Sequence, residues 1–173
     1  MTEYFLALQT PTVELSVSGT DPAGKQAHIN VGYKRYELEE AQERMDHFSE
    51  ISKPVNDLNA LEADGVEVDR STWREASATV RASINEMLRE EIVYFTKVQL
   101  LEPVPGKPTE FRKGPLIADS RTFKDEAVLG GKTCLDFLLD MHIASSLWRS
   151  ALISNMLSAI NNFKLGQETA VKN

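Results

Sequence analysis

Val13-Glu14-Leu15-Ser16-Val17-Ser18, followed by Gln26-Ala27-His28-Ile29-Asn30-Val31-Gly32-Tyr33, is the stretch that decides the fold. Val13, Leu15 and Val17 alternate with polar residues in the first run, as Ala27, Ile29, Val31 and Tyr33 do in the second. A period of two places every second side chain on the same face of a strand. Between the runs, Gly19-Thr20-Asp21-Pro22-Ala23-Gly24-Lys25 is rich in turn formers. The spacing predicts a β-hairpin from Val13 to Tyr33. A hairpin alone is marginal in water, so its apolar face needs a second layer.

That layer is encoded downstream. Leu38, Ala41, Met45 and Phe48 recur at three- and four-residue steps, the pattern of an amphipathic helix. Pro54, Asn56, Asp57 and Asn59 predict its end, and the acidic stretch Asp57 to Asp69 reads as a solvated loop. Thr72 with Glu75 forms a capping-box signature before Ala76, Val80, Ile84 and Leu88, which predicts the start of a second helix. The β-branched and aromatic run Ile92 to Leu101 either ends that helix or becomes a short strand. Pro103, Pro105, Pro108 and Pro115 argue against a regular element across 102–121, which reads as a Pro-rich loop or insertion. Helical spacing returns at Leu135, Leu138 and Leu139 and again over Ser145 to Phe163. The expectation is one α+β, mostly helical domain over residues 1–165. Its N-terminal β-hairpin packs on a bundle of three to five helices, and a frayed tail covers 166–173.

Composition narrows the function classes. A chain of 173 residues can bury its own core. Its net charge of −7 and lack of a Lys/Arg run speak against nucleic acid as a partner. No apolar stretch approaches the roughly 20 residues of a membrane span. Met1-Thr2-Glu3-Tyr4 lacks a basic n-region, so a cytoplasmic protein without a membrane partner is expected. Cys134 is alone, excludes an internal disulfide and reads as a small buried hydrophobe.

The chemical motifs fail one by one. Gly130-Gly131-Lys132-Thr133 imitates the end of a phosphate-binding loop, but Glu126 stands where the first glycine belongs. Thr133 and Asp136 instead read as a capping box after a Gly-Gly turn. His28, His47 and His142 have no ligand spacing, and the acidic loop lacks the order of a calcium loop, so no metal or cofactor is expected. No serine stands in G-x-S-x-G, and the expectation is not an enzyme.

Trp148, Leu152, Met156 and Ile160 form one helical stripe, and Leu147, Ala151 and Ile153 widen it. Either the helix is buried all round, or a second face meets another protein. On the second reading Leu147, Trp148, Ala151 and Ile153 are the candidate partner-binding residues, with Leu147 or Trp148 accessible.

Taken in order, the pieces resemble the tail assembly chaperones of long-tailed bacteriophages. The resemblance is carried by Pro11-Thr12-Val13-Glu14-Leu15-Ser16-Val17, by Ile29-Asn30-Val31-Gly32-Tyr33-Lys34-Arg35, and by the acidic helix start Leu38-Glu39-Glu40-Ala41. It continues at Met87-Leu88-Arg89-Glu90-Glu91-Ile92-Val93, in Leu147-Trp148-Arg149-Ser150-Ala151-Leu152-Ile153, and in the polar tail Ala170-Val171-Lys172-Asn173. The chain departs from the pattern in two insertions, Ser52 to Arg70 and Glu102 to Arg121, and in Tyr94-Phe95 where a tryptophan is expected. The resemblance implies a protein of the host cytoplasm, without catalytic residues, that binds the tape measure protein. The tail tube protein and further copies of the chain are the other partners it suggests. A structural tail or head-completion subunit, or a phage-encoded inhibitor of a host enzyme, fits the same composition.

Overall fold

The structure, a computed structural model, describes residues 12–20, 26–96, 98–118, 121–140 and 148–161. It is α+β, with an N-terminal hairpin against helices, as the switch of period near Leu38 predicts. β1 (Thr12–Thr20) and β2 (Gln26–Lys34) pair antiparallel with Leu15 opposite Val31 and Val17 opposite Ile29. Those four side chains therefore share one face of the ribbon.

The chain then leaves the sheet for two long antiparallel helices, α1 (Leu38–Ala63) and α2 (Arg70–Glu91). It returns as β3 (Ile92–Thr96), which pairs with β2 and puts Phe95 opposite Val31. The β-branched run after α2 is thus a central strand. A ribbon of β4 (Val98–Val104) and β5 (Lys107–Ala118) follows, then β6 (Thr122–Phe123), which closes the sheet in the order β1-β2-β3-β6. The small hairpin β7 (Ala127–Leu129) and β8 (Lys132–Thr133) leads into α3 (Cys134–Asp140), and α4 spans 148–161.

The core lies between one face of the sheet and the helices. Val17, Ile29, Val31, Tyr33 and Phe95 come from the sheet, Met87 and Leu88 from α2, Leu135 and Leu138 from α3, and Trp148, Leu152, Met156 and Ile160 from α4. Two polar links set α4 on the strands. The Tyr33 hydroxyl donates to the Leu152 carbonyl at 3.1 Å, and Asn155 Nδ2 donates to the Ser16 carbonyl of the edge strand at 3.2 Å.

Three local expectations are corrected. α1 does not stop near Pro54 but runs through it to Ala63. Pro54 is exposed, so the backbone carbonyl left without its helical partner faces water. The acidic stretch is therefore mostly helix, and only a short turn, with Gly65 at φ 82°, separates the helices. α2 starts before the Thr72 capping box: Asp69 is its N-cap and accepts from the Ser71 and Thr72 amides at 2.8 and 3.0 Å. The described part of 102–121, up to Ala118, is not a loop, since β4 and β5 pair across a turn at Gly106 with φ 76°. A two-stranded ribbon has edges on both sides, and that is where prolines are tolerated in a sheet.

Candidate functional site

Of the four predicted partner-binding residues, the three among the described residues, Trp148, Ala151 and Ile153, are buried or half-buried and present no exposed apolar surface. Trp148 is 5% exposed and belongs to the core, which corrects the expectation that it serves as an accessible anchor. Ala151 and Ile153 are half-buried and pack against that core. Leu147 lies outside the described residues. The wide apolar arc of α4 is taken up within the chain: one side meets the sheet through Tyr33, and another meets α2. There Arg149 Nε donates to Asn85 Oδ1 at 2.8 Å, and its guanidinium also reaches the Arg81 carbonyl at 3.1 Å.

The feature that stands out is instead the α1–α2 pair. α1 is 26 residues long, about 39 Å of helix. Yet no residue from 42 to 83 is buried. Met45, Phe48, Ile51 and Val80 reach the core, and beyond them, among the described residues, the two helices cover each other, with Val55, Leu58, Trp73 and Ala76 half-buried along the seam. Leu61 and Val66 near the tip are 43% and 49% exposed. The pair is an arm.

Its root is rigid. Glu91, at 1% exposure the buried charged residue of the described chain, accepts from Arg44 Nε at 2.6 Å, while the same guanidinium reaches Glu90 at 2.6 Å. Burial pushes the Tyr36 hydroxyl well above its usual range, and a hydrogen bond to Glu91 adds to the shift. One cation from α1 thus bridges two carboxylates at the end of α2. A buried carboxylate is tolerable only with such partners. A second set of contacts fixes the tip, where Trp73 Nε1 donates to Glu62 Oε1 at 2.8 Å and joins the far ends of the helices.

The remaining candidates are structural. Gly130 and Gly131, at φ 59° and 77°, make the β7–β8 turn. Asp136 accepts from the Thr133 amide and hydroxyl at 3.1 and 3.0 Å, so the predicted capping box opens α3. Cys134 is fully buried, and its thiol is pushed up to about 11, by burial first and then by Glu126. Among the described residues no three His, Cys, Asp or Glu side chains are grouped to hold a metal ion. No helix among them is long and apolar enough to cross a membrane.

Sequence reading missed the arm because it depends on where the core ends. The seam residues have the same periodicity as core residues, and only the tertiary structure separates Val80, which reaches the core, from Trp73, which does not. The clue available in the sequence was the polarity of the 52–70 segment, where a helix continues with few apolar positions to bury. Searches among protein families, curated proteins and solved structures find no match to this chain.

Proposed function

We propose that this chain is a tail assembly chaperone of a long-tailed bacteriophage. In this reading it acts in the host cytoplasm and holds the tape measure protein, a long and partly apolar helical chain, until the tail tube protein polymerises around it. The observation that carries the reading is the α1–α2 arm, which extends past the core with Leu61 and Val66 exposed and with no residue buried from 42 to 83. Exposed apolar side chains at the tip of a two-helix arm offer a contact for a partner helix, in the helix-in-groove mode of recognition. The strand-turn-strand and acidic helix start of the N-terminal region add the family resemblance. A net charge of −7 keeps a complex with an apolar partner dispersed.

The test is co-expression with the tape measure protein encoded in the same phage genome. The chaperone reading expects the tape measure protein to be soluble and to co-purify with this chain, and to be insoluble without it. Equal insolubility with and without the chain refutes it.

One observation favours a second reading, a structural tail or head-completion subunit. Among the described residues the β4–β5 ribbon is a two-stranded sheet of its own, paired with no strand of the main sheet, and such ribbons suit strand addition between subunits. Mass spectrometry of purified virions separates the two, since a chaperone is absent from the finished particle and a subunit is present.

A further inference from the structure

The side of the arm carries a second feature, distinct from its apolar tip. Trp73, Arg74, Ser77, Ala78 and Arg81 line an open concavity of about 380 Å³ along α2. Ser77 and Ala78 form a low floor that lets another backbone come close, and the Trp73 ring, tied by its N–H to Glu62, makes a fixed wall. Arg74 and Arg81 stand on the same side two turns apart, about 10.5 Å along the axis. Neither arginine has a carboxylate partner among the described residues, although the chain has 26 acidic residues against 19 basic ones. Arg149 adds a third cation where α4 abuts α2, its guanidinium on the Arg81 carbonyl. Burial and then the nearby Arg81 charge hold Arg149 below its usual pKa.

We infer that this face of α2 is a docking groove for an acidic amphipathic helix of another protein. The chemistry defines the ligand. Two carboxylates seven residues apart on one helix face are spaced to meet Arg74 and Arg81, and an apolar side chain between them packs on Ala78 against Trp73. Arginine favours such contacts because its planar fork pairs with carboxylates in a bidentate way. The surrounding negative charge of the chain repels acidic segments that lack this spacing. The groove begins where the α4 contact on α2 ends, so a docked helix extends the three-helix packing at the base of the arm toward its tip. This groove is independent of the chaperone reading.

The full chain is titrated calorimetrically with a synthetic helix of about 20 residues, long enough to be helical. It has glutamate at every seventh position and leucine between on the same face, and a twin peptide has glutamine for glutamate. Binding of the glutamate peptide is expected with a change in Trp73 fluorescence that Trp73→Phe removes. Both the glutamine twin and the double variant Arg74→Glu/Arg81→Glu are expected to weaken binding by about tenfold or more, near 1.4 kcal/mol. Circular dichroism checks the fold, and Arg74→Gln/Arg81→Gln replaces the reversal variant if that one unfolds. The inference is overturned if neither peptide binds, if the twins bind equally, or if the arginine variants bind like the parent chain. It is also overturned if inorganic phosphate displaces the peptide completely at equal concentration, which would make the groove a simple anion site. Loss of a dimer of the free chain in Arg74→Glu/Arg81→Glu would assign the face to self-association and sink the proposal as well.

Discussion

The Tyr94 ring lies across Gly32 so closely that a Cβ at position 32 would stand 2.3 Å from Tyr94 Cε1. The two residues face each other across β2 and β3, and the ring has two further partners. Its hydroxyl donates to Glu14 Oε2 at 2.9 Å on β1, and the Arg121 guanidinium sits 4.7 Å from the ring centroid. Gly32→Ala drives the ring off the sheet and breaks both contacts. The expected loss is about 1 to 3 kcal/mol in denaturant unfolding. The Gly32→Ala/Tyr94→Ala pair should cost clearly less than the two single changes added together, and strict additivity would show that the ring does not depend on the glycine.

Glu91 is buried and depends on Arg44. Arg44→Met leaves a carboxylate without its cation and is expected to cost about 3 to 5 kcal/mol. Arg44→Met combined with Glu91→Leu should recover much of that loss, because the uncompensated charge is gone. A double variant no more stable than Arg44→Met in urea titration would refute the account.

Pro54 stands exposed inside α1. Proline is about 3 kcal/mol worse than alanine in a helix interior, partly offset by the stiffness it gives the unfolded chain. Pro54→Ala should therefore raise stability by about 2 kcal/mol, read as a higher melting temperature. A lower one would mean that α1 needs the break for its shape.

Asp136 titrates below the usual aspartate value, first through the Thr133 amide hydrogen bond and then, against the opposing effect of burial, through Arg89 at 2.9 Å. A carboxylate with a depressed folded pKa contributes stability that is fully present above its unfolded value, about 3.9, and is lost as pH falls from there through the folded value. Asp136→Asn should be less stable than the parent at pH 7, and the difference should shrink below about pH 4. Thermal melts across pH 2.5 to 7, roughly spanning the carboxylate range, measure it. A constant gap would exclude the ionised form as the source.

Trp148 is core, and the chain is expected to respond accordingly. Trp148→Ala should cost about 3 to 5 kcal/mol through lost burial and the cavity left behind. Trp148→Glu should abolish the cooperative melt. A folded Trp148→Glu chain that merely changed its oligomeric state would restore this tryptophan as a surface anchor.

Period and turn chemistry determined the elements that local sequence can specify. The alternation at Val13 to Val17 and Ile29 to Tyr33, the Gly130-Gly131 turn and the Thr133–Asp136 cap each depend on residues within a few positions of one another, and each is found where those residues put it. The strand identity of Ile92 to Thr96 was open, because β-branched residues also end helices, and pairing with Asn30 to Tyr33 decided it. The prolines of 102–121 misled, since a proline forbids a central strand but not a ribbon with free edges. Asp57 to Ala63 misled for the complementary reason: polar composition marks exposure, and a helix that leaves the core is exposed without being a loop. Which apolar stripe is covered was beyond local reading altogether. Trp148 and Trp73 both sit on helical stripes, but the first is buried in the core that the sheet and helices share, while the second lies on an arm that outruns the core. Burial is a property of what the rest of the chain brings alongside, and only the tertiary structure supplies that.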